Sequence, residues 1–343
     1  MRKYILIIWC SITAFSCQYQ KTKDEGSIEN SSFIIRLRDI PDSISVEEIT
    51  VKNLFKSQLL ANSENHYDTQ MIANKVYYSH QNLWDSCYAL IFGDENASKF
   101  NTRRGMIDWN RSIYLHDSSY LIDRAILLLQ MNFDSAIRKS LNRFNELVPY
   151  KVRATISIVF TPMTGILFGG CSNDQFCIEL NNKDQELDYS IYKGLPHELN
   201  HLAYDPLRAV DPDKNTALRQ TIDEGFACYF TWLFFEGAIP KFEAVENMTE
   251  EHWNWYLDHE KEIYEKVNSY FNDESGNNPL LRNDKYKLFP DAPKSLNYWL
   301  GFRIIEKYVE NNGKDSWRQI YESNVSDVLK RSGYKGSLEQ LGK

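Results

Sequence analysis

The sequence YSIYKGLPHELNHLAY spans Tyr189–Tyr204 and contains the pattern HExxH. Its composition suits a helix, and residues four apart lie on the same helix face, about one turn from each other. His197 and His201 can therefore both direct an imidazole at one zinc ion. Glu198 is turned away from that face and is placed to accept a proton from a water at the metal. Pro196 requires this helix to begin near it or to bend.

A catalytic zinc ion needs a third protein ligand, and the next helical stretch offers one in the segment TIDEGFA. Glu224 lies 23 residues after His201, which leaves room for a loop and for a second helix that returns beside the first. Asp223 points about 100° away from Glu224 on a helix. It is the competing ligand, or else a residue that orients a ligand or caps the helix. We expect Glu224 to bind the zinc, and the small residue Gly225 to permit close helix packing.

The surrounding pattern predicts an α+β fold, mostly helical, with a small mixed sheet before the HExxH helix. Residues 152–160, VRATISIVF, are rich in β-formers and predict a strand. Two shorter strands are expected at Ile166–Phe168 and Phe176–Leu180, with a turn between them. Helices are expected at residues 45–62, 77–91, 118–147, 188–204, 215–236, 250–271, 295–311 and 314–331.

The N-terminus has the composition of a secretory signal peptide. Arg2 and Lys3 precede an apolar run, Ile5–Phe15, and a small residue, Ser16. A membrane span needs about 20 apolar residues, so this run is too short for one. The alternative is an N-terminal anchor or a buried helix.

Cys17 resembles the lipid-accepting cysteine of bacterial lipoproteins, of the Bacteroidota type in particular. The resemblance implies an exported chain that is anchored by lipid to the cell envelope. The predicted organisation is therefore a signal peptide at 1–16, a flexible tether at 17–40, a helical part at 41–150 and a catalytic part at 151–343.

The segments HELNH and DEGFA together resemble the gluzincin branch of zinc metallopeptidases. The closer resemblance is to predicted zinc-dependent peptidases carried as bacterial lipoproteins, which have a later aromatic helix, here NYWLGFRII at residues 297–305. It covers roughly residues 150–311, and a more distant similarity is to gliding-motility lipoproteins. Many gluzincins place an Asp four residues after the ligand Glu, where this chain has Cys228.

This resemblance implies peptide hydrolysis with Zn²⁺ on the two histidines and Glu224, and with Glu198 as general base. Tyr298 is the first choice for a donor to the oxyanion, and the alternative is an aromatic residue packed in the helix. His252 and His259 could also face the cleft, or lie at the surface or the edge of the core.

An edge strand of the small sheet could pair with an extended peptide substrate. Gly169 and Gly170 are the predicted substrate-binding residues, within Ile166–Gly170, and Phe176–Leu180 is the other candidate strand. Cys171 and Cys177 are either bridged or two thiols, because connectivity cannot be deduced from sequence.

The composition excludes some classes of function. A net charge of −8, with 39 Lys and Arg against 47 Asp and Glu, argues against nucleic-acid binding. Three readings remain: a lipid-anchored zinc peptidase that acts on peptides or proteins, a zinc-containing lipoprotein with an assembly or binding role, and a carbohydrate-binding lipoprotein that uses its many aromatic residues. The oligomeric state and the membrane face stay open.

Overall fold

Helices surround one small sheet, which confirms the mostly helical α+β class predicted from the sequence. The computed structural model describes residues 32–62, 66–88, 98–99, 101–161, 168–172, 174–182, 186–246 and 248–340. The strands are β1 (Ser43–Val46), β2 (Ile49–Asn53), β3 (Ala154–Val159), β4 (Phe168–Ser172) and β5 (Gln175–Glu179).

The longer helices include α1 (Leu54–Leu60), α2 (Arg103–Gln130), α3 (Phe133–Leu147), α4 (Leu195–Arg208), α5 (Ala217–Phe234), α6 (Glu250–Asp258), α7 (Glu260–Val267), α8 (Leu296–Asn312), α9 (Val325–Ser332) and α10 (Tyr334–Gln340). Other helical segments lie at Thr69–Met71, Ile72–Tyr77, Tyr78–His80, Leu83–Tyr88, Tyr189–Gly194, Lys241–Ala244, Asn268–Tyr270, Asn283–Tyr286 and Ser316–Glu322, and at residues 32–39. Within the described part of the chain, no helix is both long enough and apolar enough to cross a membrane.

The sheet is mixed, in the order β1-β2-β3-β5-β4. β2 and β3 are parallel, as are β3 and β5, while each outer strand runs antiparallel to its neighbour. Ile49 pairs with Ala154 across the β2–β3 ladder. The sheet therefore joins strands from both sides of the boundary predicted between residues 150 and 151.

The two faces of the sheet belong to two cores. Side chains alternate between the faces of a strand, and in β3 Ile156 and Ile158 contribute to the larger core. Val159 of β3 and Cys177 of β5 face a smaller core instead, formed with residues of α1 and of the helical segments that follow it. The larger core contains most of the buried apolar side chains of α5 and of α8, so it is the one that carries the candidate site.

The helix predicted at residues 45–62 is wrong over its first half. Residues 43–53 form the β1–β2 hairpin, and α1 begins only at Leu54. The hairpin sequences SISV and ITVKN are rich in β-branched residues, which suit a strand, and burial in β2 alternates with a period of two. Glu47 has a φ of 49° in the two-residue turn, a conformation that such tight hairpins require.

Several predicted helices are shorter or broken. The helix predicted at 118–147 is two helices, because Asn132 adopts a left-handed conformation between α2 and α3; α3 ends before Pro149, as predicted. A break at His259 separates α6 from α7 inside the predicted 250–271 helix. Helical structure in the 77–91 region starts earlier, at Thr69, and residues 89–91 lie outside the described residues.

Helices α5 and α8 cross in direct backbone contact at two glycines. A Cβ atom added to Gly301 would fall well inside van der Waals distance of the Thr221 carbonyl oxygen and 2.8 Å from the Gly225 Cα. A Cβ atom added to Gly225 would clash in the same way with the backbone of Gly301. The close packing expected at Gly225 is therefore present, and its partner is the glycine of the segment NYWLGFRII.

We predict that Gly301→Ala lowers the free energy of unfolding by about 1–3 kcal/mol, because the added methyl group forces two backbones apart. Gly336→Ala is the matched control. Gly336 lies in α10 with nothing within 4 Å of its added Cβ, and there alanine should raise stability by about 0.5–1 kcal/mol. Chemical denaturation of both variants measures the difference, and equal effects would contradict the helix crossing.

Candidate metal centre

The HExxH segment lies on α4, which begins at Leu195. Pro196 occupies the first turn, where a helix has no intrahelical use for the missing N–H group. The sequence required the helix either to begin near Pro196 or to bend there, and the α-helix begins at the preceding residue. A π-helical segment, Tyr189–Gly194, leads into α4 and makes the predicted helical stretch continuous.

Helix α5 returns beside α4 and supplies the acidic residues. It begins after Thr216, whose hydroxyl accepts a hydrogen bond from the Arg219 backbone N–H at 3.2 Å. Nearly all of its surface is buried, as expected for a helix that is apolar on most sides and runs through the core. Asp223 and Glu224 are acidic residues on this largely apolar helix, and both face the histidines of α4.

Three of the residues predicted as zinc ligands converge. The Nε2 atoms of His197 and His201 lie 3.1 Å apart. Oε2 of Glu224 lies 3.3 Å from each of them. Among the described residues, these three form the group of His, Cys, Asp and Glu side chains whose ligand atoms lie close enough together to share a metal ion.

The spacing of the three atoms fits zinc. Ligand atoms at about 2.0–2.1 Å from a tetrahedral zinc ion lie about 3.3–3.4 Å from each other. The observed edges of 3.1, 3.3 and 3.3 Å match that triangle closely. Two imidazole nitrogens and one carboxylate oxygen are also a donor set that catalytic zinc sites use.

Asp223 orients His201. Its Oδ1 lies 3.1 Å from Nδ1 of that ring, and a carboxylate can only accept a hydrogen bond. Nδ1 therefore carries the proton, and Nε2 of the neutral ring presents its lone pair to the centre. Of the roles weighed for Asp223, this geometry supports the residue that orients a ligand.

His197 is held by two other side chains. The Cys228 Sγ lies 3.8 Å from its Nδ1, at the position where many gluzincins have an aspartate. The ring of Tyr298 is nearly parallel to the imidazole, with 6.2 Å between the ring centroids. The structure thus places Tyr298 beside the candidate metal centre.

Electrostatics at the centre favours positive charge. Burial acts to raise the pKa of Glu224, but His201 and His197 outweigh it and hold the pKa well below its usual range. Burial acts to lower the pKa of His197, and the Cys228 thiol and the Glu224 carboxylate that face it raise it to about 10. Burial raises the pKa of Glu198, and the two imidazoles oppose that rise.

Sequence reasoning missed several residues around the centre. Tyr321 donates a hydrogen bond of 2.6 Å to Asn200, inside the HExxH segment, and both side chains are buried. Tyr189 and Glu246 lie close enough to Glu198 to influence each other's charge. Tyr189 lies in the helical stretch already identified, but no motif marks the other two residues.

Two other predicted site residues lie in the sheet. Gly169 and Gly170 are in β4, an edge strand of the described sheet, in contact with Leu83–Tyr88. The alternative strand, Phe176–Leu180, is wrong as a substrate edge, because β5 is paired on both sides.

The two further histidines lie outside the group of converging ligands. His259 stacks on Trp255, with 4.2 Å between the ring centroids. Cys17 and the side chain of Cys171 are outside the described residues, so lipidation and the Cys171–Cys177 bridge stay predictions.

We predict that Asp223→Ala lowers zinc affinity about 10- to 100-fold, because His201 loses the acceptor that orients its ring. Competition titration against a chelator of known affinity measures this. Asp258→Ala is the control, since Asp258 is an exposed carboxylate at the end of α6. Equal affinities in the two variants would contradict the orienting role.

Comparison with known families finds a similar family, which resembles part of the C-terminal half of the chain and supports the envelope location. Residues 197–336, less than half of the chain, match the model of a family described as gliding motility protein GldB, a lipoprotein family of Bacteroidota type. The match agrees with the predicted location at the cell envelope, while lipid attachment at Cys17 stays a prediction. Searches of curated proteins and of solved structures find no match. The chain is therefore similar, from the first histidine of the HExxH segment onward, to gliding-motility lipoproteins.

Proposed function

We propose that this envelope lipoprotein holds a zinc ion on His197, His201 and Glu224 and hydrolyses peptide bonds. The observation that carries the proposal is the triangle of ligand atoms, whose edges fit tetrahedral zinc. A bound zinc ion would supply Lewis acidity, which polarises a carbonyl oxygen and makes a water easier to deprotonate.

Glu198 is the proposed general base. It follows His197 directly on α4 and is separate from the three converging ligands. A carboxylate in this position accepts the proton of the attacking water and returns it to the leaving amine. A site that only stores a metal has no use for such a base.

Tyr298 is the proposed donor to the oxyanion. Its ring stacks on His197, and the helix that carries it is fixed against α5 by the glycine contact. A phenol donates one hydrogen bond, and a donor aimed at the developing negative charge is a strong source of rate enhancement.

A second candidate is a zinc-containing lipoprotein with an assembly or binding role, without hydrolysis. The family match favours this reading, because the matched family is described by gliding motility and no peptidase family matches. In this reading the same three ligands hold the ion, and Glu198 has no catalytic part.

We predict that Glu198→Gln retains zinc but loses at least about 100-fold of the rate of peptide cleavage, because the base is removed and the ligands are not. Zinc content is measured by elemental analysis, and cleavage by mass spectrometry on a mixture of synthetic decapeptides. Glu251→Gln, at an exposed position in α6, is the control.

The outcomes separate the two candidates. Equal cleavage by wild type and Glu198→Gln would remove Glu198 as the base. Stable zinc binding with no cleavage by either protein would favour the assembly role. The assembly role also predicts the behaviour of variants in cells that lack the chain. There Glu198→Gln should fully restore surface spreading, whereas Glu224→Ala, which loses a zinc ligand, should not.

We predict that Tyr298→Phe lowers kcat by about 100- to 1,000-fold while zinc affinity stays within about twofold. Phenylalanine keeps the ring that packs beside His197 and removes only the hydroxyl group. Steady-state kinetics on a peptide that the wild type cleaves gives the measurement. An unchanged kcat would reduce Tyr298 to a packed aromatic residue, which was the alternative from the sequence.

A further inference from the structure

A cavity of about 440 Å³ opens beside Tyr298. Its walls come from the turn that contains Glu246, from residues 280–287 and from residues 292–298 at the start of α8. The volume falls in the range of small-ligand pockets, about 300–1,000 Å³. No step of the proposed reaction uses this cavity except through Tyr298.

The cavity wall is held in place by hydrogen bonds. The Tyr256 hydroxyl donates to the carbonyl oxygen of Pro293 at 2.7 Å. The side chain of Asn283 donates to the Phe289 carbonyl and accepts from the Phe289 N–H, both at 3.0 Å. These hydrogen bonds hold the cavity wall in place at Asn283 and at Pro293. The pocket is therefore preformed, as binding pockets usually are.

One side chain connects the cavity with the candidate metal centre. Tyr298 lines the cavity and stacks on His197. Glu246 lies in the wall of the same cavity. A peptide held at the metal would therefore have one side chain at the entrance of this cavity.

The lining selects by shape and by charge. Glu246 is partly buried, whereas Asp284, Lys287 and Lys294 lie exposed at the rim. Water and salt screen the rim charges, while a partly buried carboxylate keeps more of its field. The rest of the wall combines three polar residues, Asn283, Ser295 and Asn297, with an aliphatic part that consists of Leu280, Leu281, Ala292, Pro293 and Leu296.

We propose that this cavity is a substrate side-chain pocket that selects a basic residue, with Glu246 as the group that binds the cation. The long methylene stem of lysine or arginine packs on the aliphatic wall, and its charged end meets Glu246. The inference rests on the proposed function for the position of the peptide, and it adds the class of substrate.

The test uses three amino-acid hydroxamates, which bind zinc directly and need no hydrolysis. They are N-acetylated and differ only in their side chain: lysine, the uncharged isostere norleucine, or glutamate. Calorimetry on the zinc-loaded protein should show the lysine compound binding about tenfold tighter than the norleucine compound. The preference should disappear in Glu246→Gln and persist in Glu251→Gln, the exposed control.

The outcomes of this test are distinct from those of the cleavage assay. Equal binding of the lysine and norleucine compounds to the wild type would overturn the pocket, whether or not Glu246→Gln folds. Tighter binding of the glutamate compound would also overturn it, by showing that the rim lysines dominate. A lysine preference in a protein that cleaves no peptide would support a pocket for basic side chains and contradict the proposal that the protein is a peptidase. Failure of all three compounds to bind would remove the metal centre and the pocket with it.

Discussion

The backbone contact between Gly225 and Gly301 is the constraint on which the site depends. Two helices can approach this closely only where both lack a side chain at the crossing. Glu224 precedes one of these glycines, and Tyr298 lies one turn before the other, so a single crossing fixes a ligand and an aromatic neighbour together. Because each is tied to a buried helix, neither can be displaced without disturbing the core.

Polar and charged groups lie on two sides of α8. Toward the candidate metal centre, two imidazole nitrogens and a carboxylate oxygen of α4 and α5 lie within 3.3 Å of one another, an arrangement that a cation stabilises. On another face, Arg303 donates to Glu260 at 2.8 Å and also pairs with Glu306, while Tyr334 of α10 donates to Glu260 at 2.7 Å. These largely buried bonds tie α8 to α7 and to the C-terminal helix, which adds rigidity to the segment that presents Tyr298.

Sequence reasoning succeeds here where the relevant geometry is local. His197 and His201 are four apart on one helix, and Glu224 follows on the next, so spacing alone brings them together. It failed at residues 45–53, because short apolar patterns fit a helix and a hairpin about equally well and β-branched side chains decide between them. It could not find Tyr321, which meets Asn200 across 121 residues, or Glu246, whose turn carries no motif. Contacts of that kind depend on how the helices pack.

The number of converging ligands bears on both candidate functions. A structural zinc ion has four protein ligands, whereas an ion that accepts a substrate has three and an open position. Among the described residues, the group at this centre has three members, and a preformed cavity adjoins it. A peptidase would place a substrate carbonyl at the open position. In an assembly protein, a water or a partner's side chain would complete the coordination there. The two roles therefore differ in whether Glu198 moves a proton at that position.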